Sequence, residues 1–422
     1  MLDGPRPSPC PSWWLDNLSE TAAPAPLAHL PTSAEVVIIG SGMTGSAVAY
    51  WLRRLYNRVC LVLDARGVAG GATGRNGGHL LARPQSAFER ETVDELLQFI
   101  EREGVECDLV RTGTVVLERR VEPDAVFHDG EGDPEDVDGE EWGGAGVGLW
   151  DKAECKKQLH TEAFVAGTHY PEGAQFYPAK VAAALLRHSR ASLAAPVRVS
   201  AIETVDGKPR VHTDAGEVQA EVVVVATNGW TATLLPELAP HLRATRNQVI
   251  MTSPLPGGDE WGVGGISVDD GAREIYAIRR PDGRVCVGGA RAIESGAAVG
   301  NDDDSSLCPS VGKYLRAFLT EHFPALGFTG DAHVEREWTG VLGFTSDGYP
   351  ICGALPSRPG VLVGAGFCGH GMPQCFGVGK YLAMMSEGLL QNGENHTQRT
   401  SLSQIHPYIL GPANSKRFFV KD

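Results

Sequence analysis

The sequence has no Cys-x-x-Cys pair and no other cysteine spacing that is typical of a metal site or a disulfide framework. Its nine cysteines are scattered over 422 residues, and their number is odd. This pattern predicts thiols that are reduced and mostly structural, in a compartment with the redox state of the cytosol. No bound metal is predicted.

The sequence also lacks a basic cluster. Lys and Arg together number 37 against 52 Asp and Glu, which gives a formal net charge of −15. Because binding to a phosphate backbone needs a positive surface, a nucleic-acid partner is not expected. An acidic segment at 128–144 is interpreted either as a solvated surface loop or as a site for a partner or a cation.

Membrane and targeting segments are missing as well. No apolar run reaches the length of a transmembrane helix, so no membrane span is predicted. The N-terminal residues do not show the basic and then apolar regions of a secretory signal, and the C-terminal residues match no simple retention or peroxisomal signal. The predicted location is therefore the cytoplasm.

Glycine and apolar residues are abundant. The chain contains 52 glycines, and 42% of its residues are hydrophobic, which predicts a large core with many tight turns. A helix is expected over 42–56, and a Pro-Asp-Gly turn within 274–289 predicts a hairpin. Continuous apolar runs predict buried strands of a parallel sheet at 35–40, 58–64, 221–227 and 360–367.

A dinucleotide-binding fingerprint lies between the first predicted strand and the helix. It reads Gly40-Ser41-Gly42-Met43-Thr44-Gly45. The first glycine allows a tight turn, the second lets the backbone approach a pyrophosphate, and the third lets the helix pack closely on the strand. Asp64 follows the third glycine by 64 − 45 = 19 residues, at the end of the second strand, where a carboxylate accepts hydrogen bonds from a ribose.

A glycine-rich loop then follows at 70–79, GGATGRNGGH. With this loop, the chain resembles the FAD-dependent D-amino-acid oxidase superfamily, and within it the sarcosine, glycine and γ-glutamylputrescine oxidases. In that family a similar stretch passes close to the flavin, which implies that the glycines let the backbone approach FAD. Further blocks resemble the family in the same order: residues 12–16, 172–186, 222–230, 243–252 and 335–383.

The resemblance implies FAD as the cofactor. A noncovalent cofactor is favoured, with His79 first and Cys368 or His370 next as attachment points otherwise. A glycine-rich helix start after 364–366 is expected to place backbone N–H groups against the flavin. The further predicted cofactor contacts are Ala65, Arg66, Gly71, Ala72, Thr73, Arg75, Asn76, Gly77, Gly78, His79, Val199, Ala226, Thr227, Trp230, Gly340, Asp347, Gly366, Phe367, Gly369, His370, Gly371 and Met372.

The resemblance also implies where substrate chemistry occurs. The predicted catalytic or substrate-lining residues are Tyr276, Cys286, Arg291, Trp338 and His370. Arg291 is a candidate clamp for a substrate carboxylate, whereas Arg279 and Arg280 fit either that role or solvent-facing positions on the hairpin. Sarcosine-oxidase relatives place a lysine over the flavin to promote its reaction with oxygen, and here Cys286 stands near that position.

Three functions remain open. The first is an FAD-dependent oxidase of a small-molecule amine or amino acid, in which hydride moves to flavin N5, the imine hydrolyses and molecular oxygen gives hydrogen peroxide. The second is a dehydrogenase of the same fold with another electron acceptor, and the third is a non-enzymatic FAD-bearing regulatory protein. The sequence predicts no particular oligomeric state.

The predicted fold is α/β, with a doubly wound, Rossmann-like FAD-binding domain of the glutathione-reductase type. The second, α+β domain is expected to bind the substrate on a mixed, largely antiparallel sheet. An extended arm (1–32) precedes both domains, and a C-terminal tail (396–422) follows them. The FAD domain is expected at 33–85, 166–242 and 335–395, and the substrate domain at 86–165 and 243–334.

Overall fold

The computed structural model describes residues 4–19, 22–118, 147–257, 261–268 and 274–392. The predicted acidic insertion and the predicted C-terminal tail lie outside these residues. All nine cysteines lie within them, and each is a free thiol. No helix in these ranges is long and apolar enough to cross a membrane.

The first sheet carries the dinucleotide fingerprint. Its strands are β1 (Ser33–Ile39), β2 (Leu61–Leu63), β8 (Ser192–Ala194), β9 (Val199–Val205), β10 (Lys208–Thr213), β11 (Gly216–Val225), β17 (Ile351–Ala354) and β18 (Val361–Ala365). The main path runs β17-β18-β11-β1-β2-β8, and β10 pairs with β9 and β11. The strands from β18 to β8 are parallel, and four of them, β1, β2, β11 and β18, lie in the predicted apolar runs.

Both faces of this sheet are covered. One face packs against α2 (Met43–Tyr56), α5 (Pro178–Ser189) and α8 (Cys375–Asn392). The other face packs against the β9–β10–β11 meander and the short helix α6 (Thr231–Leu234). Alternate residues of β1 therefore enter different cores, Val36 and Ile38 on one side and Val37 and Ile39 on the other.

The second sheet is largely antiparallel and packs against α7 (Pro309–His322). Its order is β16-β12-β15-β14-β13-β4-β6-β5, and only the β13–β4 pair is parallel within the described residues. These strands are β4 (Thr114–Glu118), β5 (Gly148–Asp151), β6 (Ala166–Tyr170), β12 (Leu242–Thr252), β13 (Gly265–Val268), β14 (Ile275–Arg279), β15 (Val285–Gly289) and β16 (Val334–Thr345). The predicted hairpin is confirmed as β14–β15.

Four further parts complete the description of the longer elements. They are the short α1 (Trp13–Asp16), the two-stranded ladder of β3 (His79–Leu80) with β7 (Ala174–Gln175), α3 (Ala87–Arg102) and α4 (Lys152–Leu159). The predicted N-terminal arm thus contains a helical turn, and its Trp14 is fully buried between the sheets.

Two strands lie in the second sheet, although the predicted segments assign them to the FAD domain. β6 pairs with β4 and β5. β16 pairs with β12 along nearly its whole length, from Val334 to Thr345. The physical reason is long-range backbone pairing, which hydrophobic periodicity within a segment does not specify.

Candidate active site

A cavity lies at the carboxyl ends of β1, β2, β11 and β18, where an open parallel sheet binds its ligand. The predicted cofactor residues that line it are Gly40, Gly42, Met43, Thr44, Asp64, Ala65, Arg66, Gly71, Ala72, Thr73, Asn76, Val199, Ala226, Thr227, Trp230, Phe367, Gly369, Gly371 and Met372. Sequence reasoning missed Pro5, Ile39, Leu63, Val197, Arg198, Ser200, Asn228, Thr233, Leu234, Val341, Leu342 and Cys375, which line it as well.

The fingerprint glycines are required by close backbone contacts. Gly40 has φ +104, and a Cβ on it would lie 2.6 Å from the Ala226 carbonyl oxygen. A Cβ on Gly45 would lie 1.9 Å from the Gly40 carbonyl oxygen. These contacts hold the N-terminus of α2 at the cavity, where its backbone N–H groups and helix dipole favour a phosphate.

The Asp64 carboxylate organises the loop after β2. One oxygen accepts the backbone N–H of Ser41 at 2.8 Å and its hydroxyl at 2.6 Å, and the other accepts the N–H groups of Arg66 and Gly67. These four donors use the lone pairs of the carboxylate. The Ser41 hydroxyl also lies 3.3 Å from the Gly67 carbonyl, so it has a second acceptor within reach besides Asp64.

The glycine-rich loop is explained mainly by contacts within the protein. A Cβ on Gly77 would lie 2.5 Å from the Tyr276 ring. Gly78 has φ +77, and a Cβ there would lie 2.6 Å from the Phe176 carbonyl oxygen. Gly71 lines the cavity, together with Ala72, Thr73 and Asn76. The predicted approach of the backbone to FAD thus concerns the first half of the loop, whereas the second half packs against the arm and β14.

Trp230 has a polar atom available to a ligand. Its indole Nε1 is buried and has no hydrogen-bond partner among the described residues, although the side chain lines the cavity. The Arg66 guanidinium carbon lies 4.8 Å from the centre of its ring. A buried donor without a partner costs free energy, so these two side chains fit an anionic or polar group of a cofactor.

Comparison with known proteins identifies the cofactor. Residues 35–385 match the DAO family of FAD dependent oxidoreductases. The chain belongs to this family. The predictions of an FAD enzyme and of its fold class are thereby confirmed, and the non-enzymatic alternative is not retained.

Several known proteins are similar to this chain over most of its length. A probable oxidoreductase OrdL from Rhizobium meliloti is 26% identical over 404 residues, covering 90% of this chain and 89% of that protein. The γ-glutamylputrescine oxidoreductase of Escherichia coli is 22% identical and covers 84% of each chain. The crystal structure of glycine oxidase from Geobacillus kaustophilus superposes with a TM-score of 0.67 at 20% identity, covering 85% of this chain and 95% of that one.

The cavity of this FAD-dependent oxidoreductase fits a dinucleotide. The start of α2 is expected to hold the pyrophosphate of FAD and Asp64 a ribose, and the unpaired Trp230 indole would be available to a polar group of the cofactor. Three other residues predicted to contact FAD do not line the cavity: Gly340, Gly366 and Asp347. A Cβ on Gly340 would lie 2.8 Å from Cβ of Arg75, the Gly366 N–H donates to Asn228, and Asp347 accepts the Tyr349 N–H. Their contacts with FAD stay predictions.

His370 is paired with a carboxylate that sequence reasoning missed. Its Nε2 lies 2.9 Å from Oε2 of Glu89, a fully buried residue of α3. The other Glu89 oxygen accepts the Gln374 amide at 2.8 Å. Burial raises the pKa of Glu89, but the hydrogen bonds and charges of His370 and Arg83 together outweigh this effect, so the pKa of Glu89 is lowered. The sequence does contain a signal for a structural role of Glu89, the Ser86-x-x-Glu89 spacing of a capping box. In the structure, the Ser86 hydroxyl accepts the Glu89 N–H.

His79 lies near this pair and is held neutral. Its Nε2 is 2.7 Å from the Thr114 hydroxyl on β4. Burial, followed by the charge of His370, lowers the pKa of His79 to about 4. Neither His79 nor Cys368 lines the cavity, and the Cys368 sulfur contacts Thr345 instead.

Tyr276 and Arg291 lie on the side of the second sheet that meets the glycine-rich loop and β16. The Tyr276 hydroxyl is 3.4 Å from the Asn247 amide nitrogen, and burial raises the pKa of this phenol. Arg291 is paired with Glu274, and its guanidinium carbon lies 5.1 Å from the centre of the Phe344 ring. Because Glu274 already neutralises Arg291, a substrate carboxylate would have to compete for it.

Cys286 and Trp338 lie in the core between the two sheets. Both are fully buried, and the Trp338 indole donates to the Arg75 carbonyl at 2.9 Å. Burial raises the pKa of the Cys286 thiol to about 12, so this thiol is neutral. Arg280 is also buried, so the interpretation of this residue as a solvent-facing hairpin charge is wrong. Its guanidinium donates to Asp108 at 2.7 Å.

Proposed function

We propose that the protein is an FAD-dependent oxidase of a small-molecule amine or amino acid. In this reaction a C–N bond is oxidised to an imine, water hydrolyses the imine to a carbonyl compound and an amine or ammonia, and dioxygen becomes hydrogen peroxide. The names of two relatives, the γ-glutamylputrescine oxidoreductase and the glycine oxidase, support this substrate class. When bound, FAD supplies the two-electron acceptor.

A polar patch beside the glycine-rich loop carries the proposal. Oδ1 of Asn247 and Oγ1 of Thr245 are buried and have no hydrogen-bond partner among the described residues. They lie two positions apart on β12 and so share a face, and the Asn247 amide contacts the hydroxyl of Tyr276, whose ring packs against Gly77. Unpaired acceptors suit a ligand that donates N–H groups, as an amine does, because each bond formed relieves a buried unpaired atom.

The protein side chains then have distinct tasks. Asn247 and Thr245 orient the amine, and the neutral Tyr276 hydroxyl excludes water from the same face without adding charge. His370 follows Gly369, a residue of the cavity wall, and its Nε2 is held by the Glu89 carboxylate. A noncovalent cofactor is supported because neither His79 nor Cys368 lines the cavity.

Titration of the flavin spectrum tests this function. The flavin-loaded full chain is mixed, without oxygen, with a panel of primary and secondary amines and amino acids. We expect one class of compound to bleach the flavin, and air to restore the colour with release of hydrogen peroxide. If no amine or amino acid in the panel bleaches a fully loaded flavin, the proposed substrate class is wrong.

A dehydrogenase is the second candidate, and Cys286 favours it. Relatives that react quickly with oxygen are expected to have a lysine there, whereas the buried, neutral Cys286 thiol supplies no positive charge. In the same titration, bleaching that persists in air and is reversed by an artificial electron acceptor would support the dehydrogenase against the oxidase.

A further inference from the structure

Three consecutive aspartates hold three separate parts of the chain. Asp302 accepts the backbone N–H of Gly4 in the N-terminal arm at 3.0 Å. Asp303 lies 3.7 Å from the Arg246 guanidinium on β12. Asp304 pairs with arginines of the FAD-binding loops. The segment that carries them, 300–308, leads into α7 of the second domain, so the run is a junction between both domains and the arm.

Asp304 is the most deeply buried of the three. Its side chain is fully buried, and Oδ2 lies 2.7 Å from the Arg66 guanidinium and 3.7 Å from that of Arg75. Its other oxygen has no hydrogen-bond partner among the described residues. A buried carboxylate is costly unless paired cations compensate it, so the Arg66 and Arg75 contacts determine whether this position tolerates a charge.

Arg66 connects Asp304 to the cavity. It lies two residues after the ribose carboxylate Asp64, and its backbone N–H is fixed by that carboxylate at 2.9 Å. Arg66 lines the cavity, and its guanidinium stacks over Trp230. The same guanidinium thus binds Asp304 and packs against another residue of the cavity wall. A fixed guanidinium is well suited to a phosphate, because its donors lie in a rigid plane.

The arm is fastened at the same place. The Cys10 N–H donates to the Asp304 carbonyl at 2.7 Å, and the Cys10 carbonyl accepts from Arg75 at 2.8 Å. Pro5, which lies nearer the N-terminus of the arm than Cys10, lines the cavity together with Arg66 and Arg198. Asp304 therefore joins the glycine-rich loop, the arm and the cavity wall.

We propose that Asp304 is a positioning residue for the cofactor: its carboxylate holds the Arg66 guanidinium in the cavity wall, facing the diphosphate of FAD. The inference concerns FAD binding, so it does not depend on the substrate or on the final electron acceptor. Asp304 acts through Arg66 and does not itself touch FAD. Removal of its negative charge should therefore weaken FAD binding, although simple electrostatics would predict stronger binding of an anion.

The experiment measures binding to the flavin-free, full-length protein. Dissociation constants for FAD, ADP and riboflavin are compared between the wild type and Asp304→Asn, with folding checked by circular dichroism. We expect binding of FAD and ADP to weaken at least about tenfold, the effect of losing one charge-assisted hydrogen bond. Riboflavin, which has no phosphate, should bind as before. Unchanged or tighter binding of FAD would overturn the proposal.

Asp331→Asn is the matched control. Asp331 also pairs with an arginine, Arg316, but its side chain is 88% exposed and does not line the cavity. This variant should leave all three dissociation constants unchanged. An equal loss in both variants would show a general effect of net charge and would count against Asp304.

Arg66→Met distinguishes positioning from a purely structural role. If Asp304 acts through Arg66, adding Asp304→Asn to Arg66→Met should cause little further loss of FAD affinity, whereas additive losses would contradict the proposal. Arg66→Met also keeps the proposal testable if Asp304→Asn does not fold. Arg66→Met by itself should weaken the binding of ADP and leave the binding of riboflavin unchanged. Unchanged ADP binding would refute the role of Arg66.

Discussion

At the scale of single residues, His79 makes the stability of the protein depend on pH. Its pKa in the folded protein is about 4, because of burial and then the charge of His370, whereas an unfolded histidine has a pKa of about 6.5. Below pH 6.5 the unfolded chain therefore binds a proton that the folded chain does not. We expect the free energy of unfolding to fall as the pH falls from about 6.5 towards 4.

Urea unfolding between pH 4.5 and 7 measures this dependence. His79→Gln should flatten the curve in that window, since glutamine does not titrate. The exposed His29 provides the control, and His29→Gln should keep the wild-type slope. Equal slopes in the wild type and His79→Gln would show that another group is responsible.

Glu89 is the second residue whose contribution to the stability of the protein can be measured by itself. Since its pKa in the folded protein is lowered, its contribution is fully present above the unfolded value of about 4.3 and is lost as the pH falls through the folded value. Glu89→Gln removes the charge that pairs with His370, so we expect a loss of about 2 kcal/mol in the free energy of unfolding at pH 7.

Chemical denaturation at pH 7 checks this value. Glu101→Gln changes an exposed carboxylate on the same helix, α3, and should alter the free energy of unfolding by less than about 0.5 kcal/mol. If the two variants were equally stable, the His370–Glu89 pair would have no net stabilising role.

At the scale of elements, the second half of the glycine-rich loop is fixed by its neighbours. Gly78 and Gly104 both have positive φ, +77 and +59, but only Gly78 has neighbours that a Cβ would meet. Gly78→Ala should therefore cost about 2 kcal/mol or more of stability and weaken FAD binding, whereas Gly104→Ala should show only the cost of the backbone conformation.

Thermal unfolding and FAD titration of the two variants separate these effects. The difference between them reports the contact with Phe176 and Trp14, since the backbone strain is similar in both. Equal losses in the two variants would mean that backbone conformation alone explains the glycine at 78.

At the scale of the whole molecule, FAD should stabilise both domains together. Its cavity is lined by the arm, by loops of the first sheet and by Val341 and Leu342 of β16 in the second. At a free FAD concentration of about 100 times the dissociation constant, the free energy of unfolding should rise by about 2.7 kcal/mol.

Urea unfolding followed by both far-UV circular dichroism and tryptophan fluorescence tests this coupling. We expect the two signals to change in one transition that shifts with FAD concentration. Two transitions, only one of which responds to FAD, would show that the second domain does not contribute to the cavity in solution.

The sequence alone determined the parts of the protein that local rules control. The apolar runs predicted β1, β2, β11 and β18, and the spacing from Gly45 to Asp64 placed the dinucleotide cavity, because turns, helix starts and strand ends follow from residues close in the chain. The Pro-Asp-Gly turn likewise predicted the β14–β15 hairpin.

Tertiary structure decided what depends on residues far apart in the chain. The pairing of β16 with β12, the burial of Trp14, the contact of His370 with Glu89 and the junction at Asp304 join segments far apart in the chain, by 281 residues in the case of His370 and Glu89. No local pattern selects one distant partner over another. The choice is made when the two sheets and the arm pack together, because each buried charge or polar atom must then find its partner among the groups that packing brings near.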